Sequence, residues 1–187
     1  GDYLSAGDGG YRYCRQQGLA PDHLVGDFDS FTGQLPAAVE AERFNPHKDD
    51  TDLTCAAKHG FGLGYREFYF TGVLGGRLDP TLGNLQLGAW PCRRGCRCEF
   101  GARRQRVYFL TQGSILLPRG RGWNFSLVSW CDRCTAVFIR GGEYPLEDRI
   151  LTNSYALGIS NEFAADTAEI SVRDGVLLVM TAYCPKE

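Results

Sequence analysis

Four groups of aspartates punctuate the first eighty residues, each beside glycine or a basic residue. They are Asp8 in DGG (8–10), Asp27 and Asp29 in GDFDS (26–30), Asp49, Asp50 and Asp52 in KDDTD (48–52), and Asp79 in GGRLD (75–79). Gathered at one edge, so many carboxylates would repel one another unless a cation sat among them. Ligands that offer only oxygen suit Mg²⁺ or another hard divalent ion, and Mg²⁺ commonly arrives with substrate phosphates. Lys48, Arg77 and the backbones of Gly9, Gly10, Gly75 and Gly76 are suited to phosphate oxygens. No His or Cys joins the series, which argues against catalytic zinc. Taken singly, Asp49, Asp52 and Asp79 read equally well as helix caps, and GDFDS reads as a turn. Only the conjunction of the four groups points to a site. Neither a phosphate loop of the GxxxxGK[ST] type nor a GxGxxG dinucleotide fingerprint occurs. His23, His47 and His59 show no metal spacing and read as surface or cap residues, and no serine has the partners of a hydrolase triad.

The elements that must position these residues alternate. GGYRYCRQQGL places Tyr11, Cys14 and Leu19 on one helical face, and DHLVGDFDS is a short apolar run that breaks into a turn at Gly26. DDTDLTCAAKHGFGLG offers Leu53, Ala56, Ala57 and Phe61 on one face, REFYFTGVLGG reads as a strand, and DPTLGNLQLGAW reads as a helix. Strand–helix alternation predicts a parallel α/β domain, with the aspartates at the carboxyl edge of its sheet, where such folds bind ligands. From CRCEFG onwards only short apolar or alternating runs remain, among them RVYFLTQG, NFSLVSW, TAVFIRGG and VLLVMTAY. Asp174-Gly175 in VRDGVL carries a β-hairpin signal. The reading is therefore an α/β domain over 1–102 followed by an antiparallel β-sandwich over 103–187. The chain opens GDYLSAGDGG, already near a strand end, so the α/β domain is expected to lack its first strand.

Composition limits the function classes. The 187 residues are 43% hydrophobic, enough for a sizeable core, and no run approaches 18 consecutive apolar residues. The net charge of −2 divides unevenly, with 7 basic and 12 acidic residues in 1–90 against 13 and 10 in 91–187. An acidic first half suits cations better than nucleic acid. Without a secretory segment the expectation is a cytoplasmic chain with reduced thiols. Cys14 and Cys55 read as helix residues. CRRGCRC and CDRC offer the closely spaced cysteines of a structural zinc site, but plain thiols are the preferred reading.

The ordered series DGG, GDFDS, KDDTD, GGRLD with NLQL (84–87), and GISNEF (158–163) resembles the thiamine pyrophosphokinase family over nearly the whole chain. The resemblance implies an α/β domain followed by a β-sandwich, and a homodimer with active sites where one subunit's α/β domain meets the other's sandwich. It implies transfer of pyrophosphate from ATP to the hydroxyl of thiamine, giving thiamine diphosphate and AMP, with Mg²⁺. By motif, Asp27, Asp29, Asp49 and Asp52 would hold the metal, and Asp27, Asp29, Asp52 and Asp79 would be catalytic. Asp8, Gly9, Lys48, Asp49 and Arg77 would face ATP and its phosphates. Ser160 and Asn161 would bind thiamine, with Tyr144 beside its rings. Asp29 or Asp79 would accept the hydroxyl proton, and Asp50 occupies a variable position. Pro80 stands where the family has histidine, at the first helical position, where proline costs little. A Mg²⁺-dependent phosphohydrolase and a non-catalytic thiamine- or nucleotide-binding protein are the alternatives.

Overall fold

The computed structural model describes residues 1–26, 39–43 and 50–185, with the side chains of 8 and 40–43 outside the description. The chain is mixed α/β and divides into two compact units, Gly1–Tyr65 and Arg66–Glu187.

The first unit contains β1 (Ser5–Gly7), α1 (Asp8–Gln16), β2 (His23–Gly26), β3 (Glu40–Arg43) and α2 (Asp52–Gly62). Its three strands form a parallel sheet in the order β1-β2-β3, with Ala6 opposite Leu24 and Gly26 opposite Arg43. Tyr11 and Cys14, one helical turn apart, bury against Ala6 and Leu24. Leu19 does not share that face. The helix closes before it, with Leu19 N–H bonding Cys14 C=O at 2.9 Å and Gly18 N–H bonding Arg15 C=O at 3.2 Å. These are the two bonds of a Schellman motif, and they turn Leu19 out to 54% exposure. His23 corrects its sequence reading, being fully buried rather than on the surface. Its ring stacks on His59 of α2 at 4.1 Å and 9°, its Nδ1 lies 3.0 Å from the Ser5 hydroxyl, and the Tyr3 hydroxyl lies 3.0 Å from His59 Nε2. His47 lies outside the described residues.

The second unit begins with β4 (Glu67–Thr71), α3 (Leu78–Cys92) and β5 (Arg97–Ala102). It continues through β6 (Gln105–Leu110), β7 (Gly113–Pro118), β8 (Trp123–Ser129) and β9 (Cys134–Arg140). β10 (Leu146–Leu151), β11 (Thr167–Val172) and β12 (Leu177–Tyr183) complete it. Two sheets result, β4-β5-β6-β12-β8 and β10-β9-β11-β7. Every neighbouring pair in both is antiparallel except β4 with β5. The division into compact units thus differs from the boundary expected near residue 102. β4 and β5 continue the ladder into β6, and α3 packs on β5 and β6, which is why the second compact unit reaches back to Arg66.

Side-chain pattern follows burial. β11 faces inward with Ala168, Ile170 and Val172 and outward with Thr167, Glu169 and Ser171, the alternation of a strand with one buried face. β12 reads LLVM because both its faces are covered. Leu177 and Val179 join Phe125, Leu127, Val137, Ile139 and Ile170 in a core shared by the two sheets, while Leu178 joins Phe100, Phe109 and Ala89 under α3. β10 escapes a pattern reading because its four middle residues are exposed and its pairing with β9 is broken by register shifts.

Two readings change in this unit. The Asp174-Gly175 turn joins no hairpin, since β11 and β12 lie in different sheets. Its backbone bonds instead to Thr135 on β9, through Thr135 N–H to Asp174 C=O at 2.9 Å and Arg173 N–H to Thr135 C=O at 3.1 Å. Pro80 is the third residue of α3, not the first, and still falls among the opening N–H positions that have no helical acceptor. On the inner side of α3, a Cβ at Gly88 would lie 2.5 and 2.7 Å from Phe109 Cε2 and Cε1. Gly88→Ala is therefore expected to destabilise the fold by about 1–3 kcal/mol through overpacking, read as a lower urea midpoint at unchanged slope.

Candidate functional site

In the first unit, β1 and β2 both end at the same edge of the sheet, with Gly7 opposite Val25. Gly26 closes β2 at φ +151°, a conformation that L side chains rarely adopt, directly before Asp27 in the sequence. Asp27, Asp29, Lys48 and Asp49 lie outside the described residues. α1 starts at Asp8 immediately after β1, and its N-cap Gly7 supplies no side-chain bond. The opening amides of this helix, including that of Gly9, are thus the kind of donors that helix starts offer to anions. A Cβ placed on Gly7 would lie 3.9 Å from Asp52 Cβ, so the start of α2 comes up against the end of β1.

Asp52 is not the cap of α2. Thr51 is, its hydroxyl accepting the Thr54 N–H at 3.2 Å. That leaves Asp52 in the first helical turn, half-buried at the strand end. Asp50 points to a different partner, the Lys58 ammonium at 2.6 Å.

In the second unit, Gly75 and Gly76 lead into Arg77, the N-cap of α3. The Arg77 guanidinium donates to both oxygens of Asp79, Nε to Oδ1 at 3.2 Å and Nη2 to Oδ2 at 2.6 Å. Both side chains are exposed, at 80% and 66%, so this pair is held weakly. The loop itself is held firmly. The Thr81 hydroxyl lies 3.0 Å from the carbonyls of Gly75 and Arg77, and the Asn84 amide donates to Val73 C=O at 2.8 Å. Thr81 was not singled out from the sequence, although a hydroxyl one turn inside a helix start beneath a glycine pair is a readable signal.

Elsewhere in the same unit, Tyr144, Ser160 and Asn161 come together. Residues 158–161 run beside β8, with Leu127 N–H bonding Gly158 C=O at 2.9 Å and Phe125 and Asn161 exchanging backbone bonds at 3.0 and 2.8 Å. Ser160 is exposed at φ +58°, its N–H donating to the Ser126 hydroxyl at 3.0 Å. Asn161 is 1% exposed, and both ends of its amide bond the backbone of Tyr144. Oδ1 accepts Tyr144 N–H at 3.0 Å and Nδ2 donates to Tyr144 C=O at 2.7 Å. The Tyr144 side chain stands 66% exposed on this clamp. A cavity of about 460 Å³ beside β4–β6, lined by Tyr69, Glu99, Tyr108 and Ile115 among others, contains none of the expected site residues. Among the described residues no three potential metal ligands cluster, and no helix is long and apolar enough to cross a membrane.

The comparisons with known proteins bear directly on this arrangement. The profile described as thiamin pyrophosphokinase, catalytic domain, matches residues 1–100, and that described as the vitamin B1 binding domain of thiamin pyrophosphokinase matches residues 114–177. A curated thiamine pyrophosphokinase of Bacillus subtilis (strain 168) is 24% identical over 87% of this chain and 79% of its own. The crystal structure of thiamine pyrophosphokinase from Bacillus subtilis superposes with a TM-score of 0.87 at 23% identity, covering 98% of this chain and 88% of that one. The thiamin pyrophosphokinase of Geobacillus thermodenitrificans gives 0.80 at 22% identity, over 95% and 85%. Both structural likenesses are likenesses of fold. The two profiles place the chain among transferases of the kinase type. More particularly, it belongs to the thiamin pyrophosphokinase family, whose catalytic profile alone takes in more than half of its length.

Removing the clamp tests its role. Asn161→Ala should cost about 1–3 kcal/mol, because it strips the Tyr144 N–H and C=O of their bonds to the buried amide. Urea unfolding would show the loss. Tyr144→Ala should leave stability nearly unchanged, since its ring is largely in solvent.

Proposed function

We propose that the chain is a Mg²⁺-dependent thiamine pyrophosphokinase, moving the pyrophosphoryl group of ATP onto the hydroxyl of thiamine and releasing AMP. The observation that carries this reading is where the described members of the acidic series stand. Asp8 opens α1 directly after the strand that ends at Gly7, Asp52 opens α2 beside that same Gly7, and Asp79 is second in α3 behind Gly75 and Gly76, positions of the kind where phosphates are commonly received.

Magnesium fits the chemistry of the donor set, which is carboxylate oxygen alone: Asp52 among the described residues, with Asp27, Asp29 and Asp49 from the neighbouring stretches. When bound, the ion supplies charge neutralisation on the phosphates. The chain's own residues do the remainder. The opening amides of α1, at Asp8 and Gly9, together with Lys48, receive phosphate oxygens. Arg77 exchanges its exposed partner Asp79 for phosphate, and the freed carboxylate, or that of Asp29, takes the thiamine hydroxyl proton. Tyr144 packs against the thiamine rings beside Ser160, and Asn161 acts by holding the Tyr144 backbone in place rather than by touching the ligand. The enzyme acts in the cytoplasm as a homodimer, its active sites at the subunit interface.

Incubation with ATP, Mg²⁺ and thiamine should form AMP and thiamine diphosphate in equal amounts. ADP or free phosphate in their place would indicate a phosphohydrolase, and ligand binding without any product would indicate a non-catalytic binder. Asp27→Asn and Asp29→Asn should each lower kcat by about a hundredfold or more at unchanged stability, as losses of electrostatic stabilisation do. Near-normal turnover in either variant removes that residue from the site.

A further inference from the structure

The corner where the chain passes from β8 to β9 carries the sequence Trp130-Cys131-Asp132-Arg133-Cys134, and the two sulfurs lie 3.8 Å apart. They belong to no metal cluster among the described residues. Cys131 Sγ donates to Arg133 C=O at 3.1 Å and the Ser129 hydroxyl donates to Cys134 Sγ at 3.3 Å, while Val176 treats the two sulfurs oppositely. Val176, first after the Asp174-Gly175 turn, addresses both with one residue. Its N–H donates to Cys131 Sγ at 3.2 Å, and its C=O accepts from Cys134 Sγ at 3.2 Å. The first bond favours a thiolate and the second favours a protonated thiol. Val176 is itself anchored, its C=O also accepting the Trp130 N–H at 2.8 Å. Cys134 is fully buried, whereas Cys131 is partly open to solvent.

We propose that Cys131 and Cys134 form a redox-active dithiol, with Cys131 the attacking sulfur and Cys134 the resolving one, that exchanges with small disulfides of the glutathione class. In the first step the Cys131 thiolate attacks one sulfur of R–S–S–R, forming a mixed disulfide and expelling R–S⁻, which takes up a proton. In the second, Cys134 gives its proton to solvent and attacks Cys131 Sγ, expelling the second R–S⁻. Two electrons leave the protein, one Cys131–Cys134 bond forms, and the small disulfide becomes two thiols.

Titration behaviour agrees with this division of labour. Burial alone would push the Cys131 thiol up, but hydrogen bonding from the Val176 backbone, Ser129, Cys134 and the Arg133 backbone outweighs it and brings the thiol below its ordinary value. Burial, together with the charge of Cys131, pushes Cys134 up to about 11. A partly exposed sulfur of lowered pKa beside a buried one of raised pKa is an arrangement suited to thiol–disulfide exchange. The turn opposite leaves no room for anything larger than glycine: a Cβ at Gly175 would lie 2.6 Å from Arg133 C=O and 2.9 Å from Cys134 Sγ. Bond formation must shorten the sulfur separation to about 2.05 Å, a displacement of less than ~2 Å within one short corner.

The full chain, equilibrated in mixtures of oxidised and reduced glutathione and then acid-quenched and mapped by peptide mass spectrometry, should yield an intrachain Cys131–Cys134 link that dithiothreitol reverses. Cys134→Ser should accumulate a glutathione adduct on Cys131 at least about tenfold faster than Cys131→Ser accumulates one on Cys134, since attack requires an accessible thiolate. The pH profile of Cys131 alkylation should have a lower midpoint in folded than in urea-unfolded protein. Absence of the link at every glutathione ratio overturns the proposal. So does faster capture by Cys134, or a tightly held zinc ion on the pair in native mass spectrometry.

Discussion

A strand buried on both faces is the constraint from which the rest of the second unit follows. β12 lies between β6 and β8, and its consecutive Leu177, Leu178 and Val179 point alternately into two different cores. Neither core closes unless something covers each face. α3 covers one, with Gly88 allowing it down onto Phe109, and the four-stranded sheet covers the other. Full burial of one such aliphatic side chain is worth roughly 1.5–3 kcal/mol, so these contacts outweigh any of the exposed ion pairs in the unit.

Covering one sheet with another forces the chain to pass between them, and the passages are where the chemically interesting groups collect. The β8–β9 corner carries Cys131 and Cys134, and the β11–β12 corner presses Gly175 and Val176 against them. The stretch after β10 returns along β8, where Asn161 is buried with its amide spent on Tyr144. At the other covering layer, the entry to α3 leaves Arg77 and Asp79 in solvent while Thr81 and Asn84 pin the loop behind them. The rigid parts are apolar and the reactive parts are at the turns, as expected where function sits on loops held by a scaffold.

Much of this was legible in the chain. Alternation in AEISV and the apolar run LLVM each marked a strand, and Asp8, Asp52 and Asp79 marked helix starts, because periodicity and capping are local consequences of side-chain type. Membership of the family was legible too, since motif order is a property of sequence. β10 was not, because its middle residues face solvent and leave no pattern to read. Nor was the burial of His23, a polar residue that packs inside through a ring stack with His59, thirty-six positions away.

What the sequence determined by itself, then, is the identity of most elements and of the acidic residues Asp8, Asp52 and Asp79 at helix starts, for these depend on neighbours a few positions away. Partnership between elements was decided only by the tertiary structure. Asp174-Gly175 is a turn in either view, but strand pairing sends its two arms into separate sheets. Asn161 reads as a ligand contact from the motif, and only the fold shows its buried amide bonded to the Tyr144 backbone. In each case the deciding bonds join residues distant in the chain, and no local pattern encodes which distant partner a satisfied hydrogen bond will find.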